Sequence, residues 1–92
     1  MGEARLVLRT KTAAHRGVVE MVVWRLPTPV PPSQHSFKYR LDFVRDGRRI
    51  VGYGNERGKG DHKHLREQES VYAFANIETL ISDFLADVEA SQ

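Results

Sequence analysis

His62 and His64, two residues apart, are the side chains in this sequence best suited to acid–base chemistry. In extended backbone, residues i and i+2 project from one face, so both imidazoles would meet the same substrate. An unperturbed imidazole titrates at about 6.5, so neutral and protonated rings are both accessible near neutral pH. Lys59 and Arg57 lie just upstream. That combination suits cleavage of an RNA phosphodiester. One ring removes the 2′-hydroxyl proton, the other protonates the leaving oxygen, and the cations stabilise the charge that builds on phosphorus. His62, His64 and Lys59 are therefore the candidate catalytic groups, with Arg57 holding the phosphate and Tyr53 and Asn55 orienting it. The same histidines, joined by Asp61 and His35, are a weak zinc pattern; the nearby cations disfavour a dication, and no metal or other cofactor is assigned. The plain alternative is a solvated, polar strand end.

These residues sit in an unusual stretch, Tyr53-Gly54-Asn55-Glu56-Arg57-Gly58-Lys59-Gly60-Asp61-His62-Lys63-His64. Three glycines within it contribute no core and lose entropy on ordering, as expected of a mobile connector or a backbone that approaches something closely. It is no phosphate-binding P-loop: Gly54 to Gly58 is one residue short of that spacing, and Gly60 stands where a magnesium-binding hydroxyl is required. The dinucleotide fingerprint also fails, because Arg57 falls where the third glycine belongs after Gly52 and Gly54.

The elements that must position this stretch are legible in part. Arg5 to Arg9 partly alternates, and Val18 to Leu26 is rich in β-branched residues, so both read as strands joined by a polar loop, Thr12 to Gly17. Val19, Met21 and Val23 share one face of the second, and Val22, Trp24 and Leu26 the other, the pattern of a central strand. Pro27 to Pro32 reads as an extended polyproline-type connection. Phe37, Tyr39, Leu41 and Phe43 alternate with Lys38, Arg40, Asp42 and Val44, a half-buried strand. Asp46-Gly47 then signals a tight hairpin. Folding about it pairs Arg45 with Arg48, Phe43 with Ile50, Leu41 with Gly52 and Arg40 with Tyr53. Phe43, Ile50 and Leu41 then face the core, while Lys38, Arg40, Arg49 and Tyr53 form a basic-aromatic substrate surface on the other face. Finally, Asn76 is a plausible N-cap, and Ile77, Leu80, Ile81, Phe84, Leu85 and Val88 recur at helical spacing. The predicted fold is α+β: a four-stranded antiparallel sheet with one amphipathic C-terminal helix packed on one face.

The 92 residues allow a single domain over 1–92. The chain has no cysteine, which excludes disulfides, thiolate metal sites and a thiol nucleophile. No apolar run is long enough to span a bilayer, and Met1 to Arg5 lacks a secretory pattern, so the cytoplasm is the expected location and no membrane partner is expected. The net charge of +2 conceals a segregation: residues 38–66 carry nine basic and four acidic side chains, whereas residues 67–92 carry six acids and no Lys or Arg. A basic centre suits an anionic partner such as RNA, and the acidic end can equally neutralise it within the fold.

With these features in hand, the run Val51 to His64 resembles the TumE family, small prokaryotic toxins of toxin–antitoxin pairs. The flanks agree: Glu20-Met21-Val22-Val23-Trp24, Phe37-Lys38-Tyr39-Arg40-Leu41 and Tyr72-Ala73-Phe74. Asn55, Gly58, His62 and His64 match the family pattern; an acidic residue often precedes the asparagine there, where this chain has Gly54. The resemblance implies a toxin neutralised by an antitoxin that often carries a helix-turn-helix DNA-binding domain. It leaves three activities open. The first is a metal-independent ribonuclease. The second is a non-catalytic module binding RNA or the ribosome through Lys38, Arg40, Arg49 and the loop cations. The third is an interaction domain whose acidic helix and strand edge serve an antitoxin or a second copy in a homodimer.

Overall fold

In the computed structural model, which describes residues 2–91, six strands precede one helix. The strands are β1 (Arg5–Ala14), β2 (Gly17–Arg25), β3 (Phe37–Arg45), β4 (Arg48–Gly54), β5 (His62–Leu65) and β6 (Gln68–Val71), and the helix is α1 (Ile77–Ala90). Each strand pairs antiparallel with the next, giving the order β1-β2-β3-β4-β5-β6. The α+β class and the single C-terminal helix are as expected, but the sheet has six strands rather than four. The additional pair is β5 and β6, whose sequences His-Lys-His-Leu and Gln-Glu-Ser-Val lack apolar alternation. They turn at Arg66-Glu67, with Arg66 at φ 57°.

The hairpin at Asp46-Gly47 forms with both residues at positive φ, 54° and 74°, and Arg45 pairs with Arg48. Beyond that the expected register fails. Val44 pairs with Arg49 but Phe43 pairs with Val51, so Ile50 is an extra residue in a β-bulge. Slipping one strand by one residue exchanges its faces. Leu41 therefore pairs with Tyr53, Asp42 with Gly52 and Arg40 with Gly54. Tyr53 moves off the basic surface and into the core.

That core lies between one sheet face and α1. Val19, Val23, Tyr39, Leu41, Phe43, Val51 and Tyr53 are buried from the sheet, and Leu80, Phe84 and Val88 from the helix. Tyr53 and Phe84 meet edge to face with centroids 5.6 Å apart. The helix begins where expected: Asn76 Oδ1 accepts from the Thr79 N–H at 2.7 Å. Its acids bond to the sheet side of the core. Asp87 accepts from the Tyr53 hydroxyl, Lys63 Nζ lies 3.4 Å from the same carboxylate, and Tyr72 donates to Asp83 at 2.7 Å. Burial, with Asp87 accepting the hydroxyl proton, pushes the Tyr53 phenol well above its ordinary range, so it stays a donor.

The proline-rich segment joins two strands as expected, β2 and β3, but it bends. Ser33 N–H donates to the Val30 carbonyl at 2.9 Å, and the Pro31–Pro32 peptide bond is cis. No helix among the described residues is long and apolar enough to cross a membrane.

Candidate functional site

Among the described residues no helix or strand packs on the sheet face opposite α1, and strand register assembles the chemistry there. One rung crosses the sheet as Arg9, Val22, Arg40, Gly54, His62 and Val71. The adjacent rung runs Lys11, Glu20, Asp42, Gly52, His64 and Glu69. Paired residues share a face, so both histidines and Arg40 project together, as the i, i+2 spacing requires. Gly52 and Gly54 stand between the histidines and β3 and leave a trough. Long side chains from nearby fold over it. A Cβ on Gly52 would come within 2.7 Å of Arg49 Cδ, and one on Gly54 within 3.1 Å of Glu56 Oε1. An acidic side chain at position 54 would thus enter the space that the Glu56 carboxylate already occupies.

The two imidazoles meet edge to face, with centroids 5.2 Å apart and planes at 90°. His62 is largely buried, with 8% of its side chain exposed, and His64 lies nearer the rim at 16%. His62 Nε2 is hydrogen-bonded to Glu56. Glu69 reaches both rings from β6: its carboxylate lies 3.4 Å from His62 Nδ1 and 3.4 Å from His64 Nε2. Lys59 binds the same carboxylate at 2.7 Å. His62 Nδ1 is nevertheless buried without a hydrogen-bond partner.

The charges tune one another. Burial, followed by the nearby Arg49 charge, holds the His64 pKa below the usual imidazole value, against the opposing pull of Glu69. Burial works to raise the Glu56 carboxyl, but the His62 hydrogen bond and positive neighbours outweigh it and bring the pKa below normal. Glu69 is held low chiefly by its hydrogen bond from Lys59. Burial raises the Asp42 carboxyl despite Arg40 and Arg49.

The expected site residues divide into three groups. His62, His64, Lys59 and Arg49 converge on the cluster. Arg40 is exposed on the same face beside Glu20 and Asp42, at 3.9 and 3.8 Å. Lys38 lies nearby in a depression with Trp24, Arg9 and Glu56, and Arg9 stacks over the Trp24 ring at 5.8 Å. Arg57 is exposed in the loop turn. Tyr53 and Asn55 are not at the site's surface. Tyr53 points to the helix side. Asn55 is fully buried: its Oδ1 accepts from Tyr39 N–H at 2.9 Å, and its Nδ2 donates to the Phe37 carbonyl at 2.7 Å and Ser33 Oγ at 3.2 Å. It continues the β3–β4 ladder with a side chain where the loop leaves the sheet.

Asp61 and His35 also part from the histidine pair. Asp61 accepts from the Tyr39 hydroxyl at 2.8 Å, pairs with His35 Nε2 at 2.7 Å, and accepts from Ser33 Oγ at 3.2 Å. The zinc grouping with Asp61 and His35 is therefore not assembled. Glu56 and Glu69 are the partners that sequence reasoning missed. Glu69 becomes visible once β5 is paired with β6, because it sits directly opposite His64.

Fold and site together define a small antiparallel meander, backed by one helix, with a histidine–carboxylate–lysine cluster on its open face. The chain belongs to the TumE family: the family model described as Toxin TumE matches residues 1–92. No curated protein and no solved structure matches it.

Proposed function

We propose that this toxin acts by cleaving RNA, with His62 and His64 as the acid–base pair and no metal in the chemical step. The observation that carries this reading is the edge-to-face histidine pair on an open sheet face, with carboxylates at its back and Lys59 and Arg49 beside it. His64, its basicity lowered by burial and Arg49, is neutral near pH 7 and suits the base. It removes the 2′-hydroxyl proton, and the 2′-oxygen attacks the adjacent phosphorus. His62, with carboxylates near both ring nitrogens, delivers a proton to the departing 5′-oxygen. Arg49 and Lys59 stabilise the charge gathering on the phosphoryl oxygens. The products are a 2′,3′-cyclic phosphate and a 5′-hydroxyl.

Two basic depressions suit the flanking nucleotides. One contains Arg48, Arg49 and Arg66. The other joins Arg9, Lys38 and Arg40 to the Trp24 ring, a surface on which a base can stack. That second surface also favours a purely RNA-binding or ribosome-binding module, whose affinity would fall steeply with salt. As a member of a toxin family, the chain is expected to be neutralised by an antitoxin, which fits the DNA-binding partner that the resemblance implies.

Growth after induction tests the reading in cells. Wild-type chain is expected to arrest a bacterial culture, and His64→Ala, recovered soluble and folded, is expected to leave growth intact. Equal arrest by both would refute catalysis by this histidine and favour the binding module.

A further inference from the structure

The atoms between the two histidines fit a metal ion as well as a proton. His62 Nε2 is hydrogen-bonded to a Glu56 carboxylate oxygen, an acceptor, so this nitrogen carries the hydrogen. In the neutral ring the Nδ1 lone pair then points into the cluster, where it is buried and unpartnered, 3.4 Å from the Glu69 carboxylate. Two acceptors facing each other need a proton or a metal cation between them. A carboxylate holding the far nitrogen of an imidazole is also the usual backing of a metal-ligating histidine, because it fixes the tautomer and strengthens the ligand.

The spacing agrees. The ligand atoms of His62, His64 and Glu69 all lie within 4.8 Å of one another. Tetrahedral bonds of ~2.0–2.1 Å place ligand atoms about 3.3 Å apart. Both histidine–Glu69 distances are 3.4 Å, so those two edges of the tetrahedron need almost no adjustment. Two imidazoles and one carboxylate suit zinc or cobalt, with the fourth position open to water.

We propose that His62 Nδ1, His64 Nε2 and the Glu69 carboxylate form a binding site for a borderline divalent transition metal such as zinc, taken up in exchange for Lys59. Lys59 is the competing cation, since its ammonium now neutralises Glu69 at 2.7 Å. A bound metal engages lone pairs on both rings and therefore stops acid–base cleavage. That consequence rests on the ribonuclease reading, whereas the binding itself does not.

Calorimetric titration of the chelator-treated full chain with zinc, and the visible absorption of its cobalt complex, test the site directly. One ion per chain is expected. Glu69→Gln, at a partly exposed position, is expected to weaken binding by more than about tenfold. Lys59→Gln is expected to bind severalfold more tightly, which a merely structural role for Lys59 would not produce. Absence of 1:1 binding, unchanged affinity in Glu69→Gln, or weaker binding in Lys59→Gln would each overturn the proposal. RNA cleavage is followed in parallel with chelator and with zinc. A protein that binds zinc as described but cleaves nothing in chelator refutes the ribonuclease reading alone.

Discussion

His64→Ala is expected to cut RNA about 10²–10⁴-fold more slowly than the wild type, the range by which a positioned general base or acid accelerates proton transfer. The side chain lies at the rim of the cluster with 16% of its surface exposed, so its removal opens no closed cavity. Stability should therefore change by less than about 1 kcal/mol, and the loss can be read as chemistry. Rate constants on a short single-stranded RNA, set beside a urea melt of the same protein, check both halves. Lys38→Ala/Arg40→Ala should behave differently. Loss of two phosphate contacts weakens RNA binding and flattens its salt dependence, with a slope change of roughly 0.7 per contact on a single strand. Were the cation variant to abolish cleavage while His64→Ala kept its rate, the site would be a binding surface and not an acid–base centre.

Asn55→Ala is expected to cost roughly 2–5 kcal/mol of folding stability, because it leaves the buried Tyr39 N–H and Phe37 carbonyl without partners. Against a typical total of about 5–15 kcal/mol, a loss of that size strips much of the margin. Its effect should also spread, since Asn55 holds the loop that carries Glu56 and Lys59 against β3. Chemical denaturation measures it: a midpoint near that of the wild type would restore Asn55 as a substrate group and remove it as a brace. The sequence invites the substrate reading because an asparagine in a glycine-rich loop usually faces solvent. Only the pairing of Arg40 with Gly54 reveals that the next side chain falls where a backbone pair would be.

The same contrast runs through the rest of the fold. The β3–β4 hairpin was legible because Asp46-Gly47 is a turn chemistry that few other sequences share, and α1 because its apolar spacing repeats over several turns. The bulge at Ile50 was not. Nothing in Arg48-Arg49-Ile50-Val51 distinguishes one register from the next, since apolar residues stand at both candidate positions. That single slip carried Tyr53 from the basic face to the helix. The β5–β6 hairpin escaped for a related reason. Backbone pairing to β4 holds a polar hairpin as well as an apolar one, and Val71 is left 87% exposed, so periodicity has no signal to give.

The site shows the same limits. The shared face of His62 and His64 follows from spacing alone, and that expectation needed only a local extended backbone. Glu69 lies five residues beyond His64 and reaches it only through a cross-strand pair. Glu56 reaches His62 because Gly54 leaves room and the loop turns back, with the Glu56 carbonyl accepting from Lys59 N–H at 3.0 Å and Gly60 N–H at 3.3 Å. Gly58 and Gly60 adopt φ of 85° and 75° in that turn, values that favour glycine. The loop is thus built to fold over the histidines, which neither its composition nor its charge disclosed.

The most direct measurement is the chemistry of the cut ends. Purified wild-type chain is incubated with RNA in the presence of a chelator, and the products are analysed for terminal groups. The account predicts 2′,3′-cyclic phosphate on one fragment and a free 5′-hydroxyl on the other, with both absent from the His64→Ala reaction. Products bearing a 5′-phosphate, or no cleavage by active toxin, would contradict it.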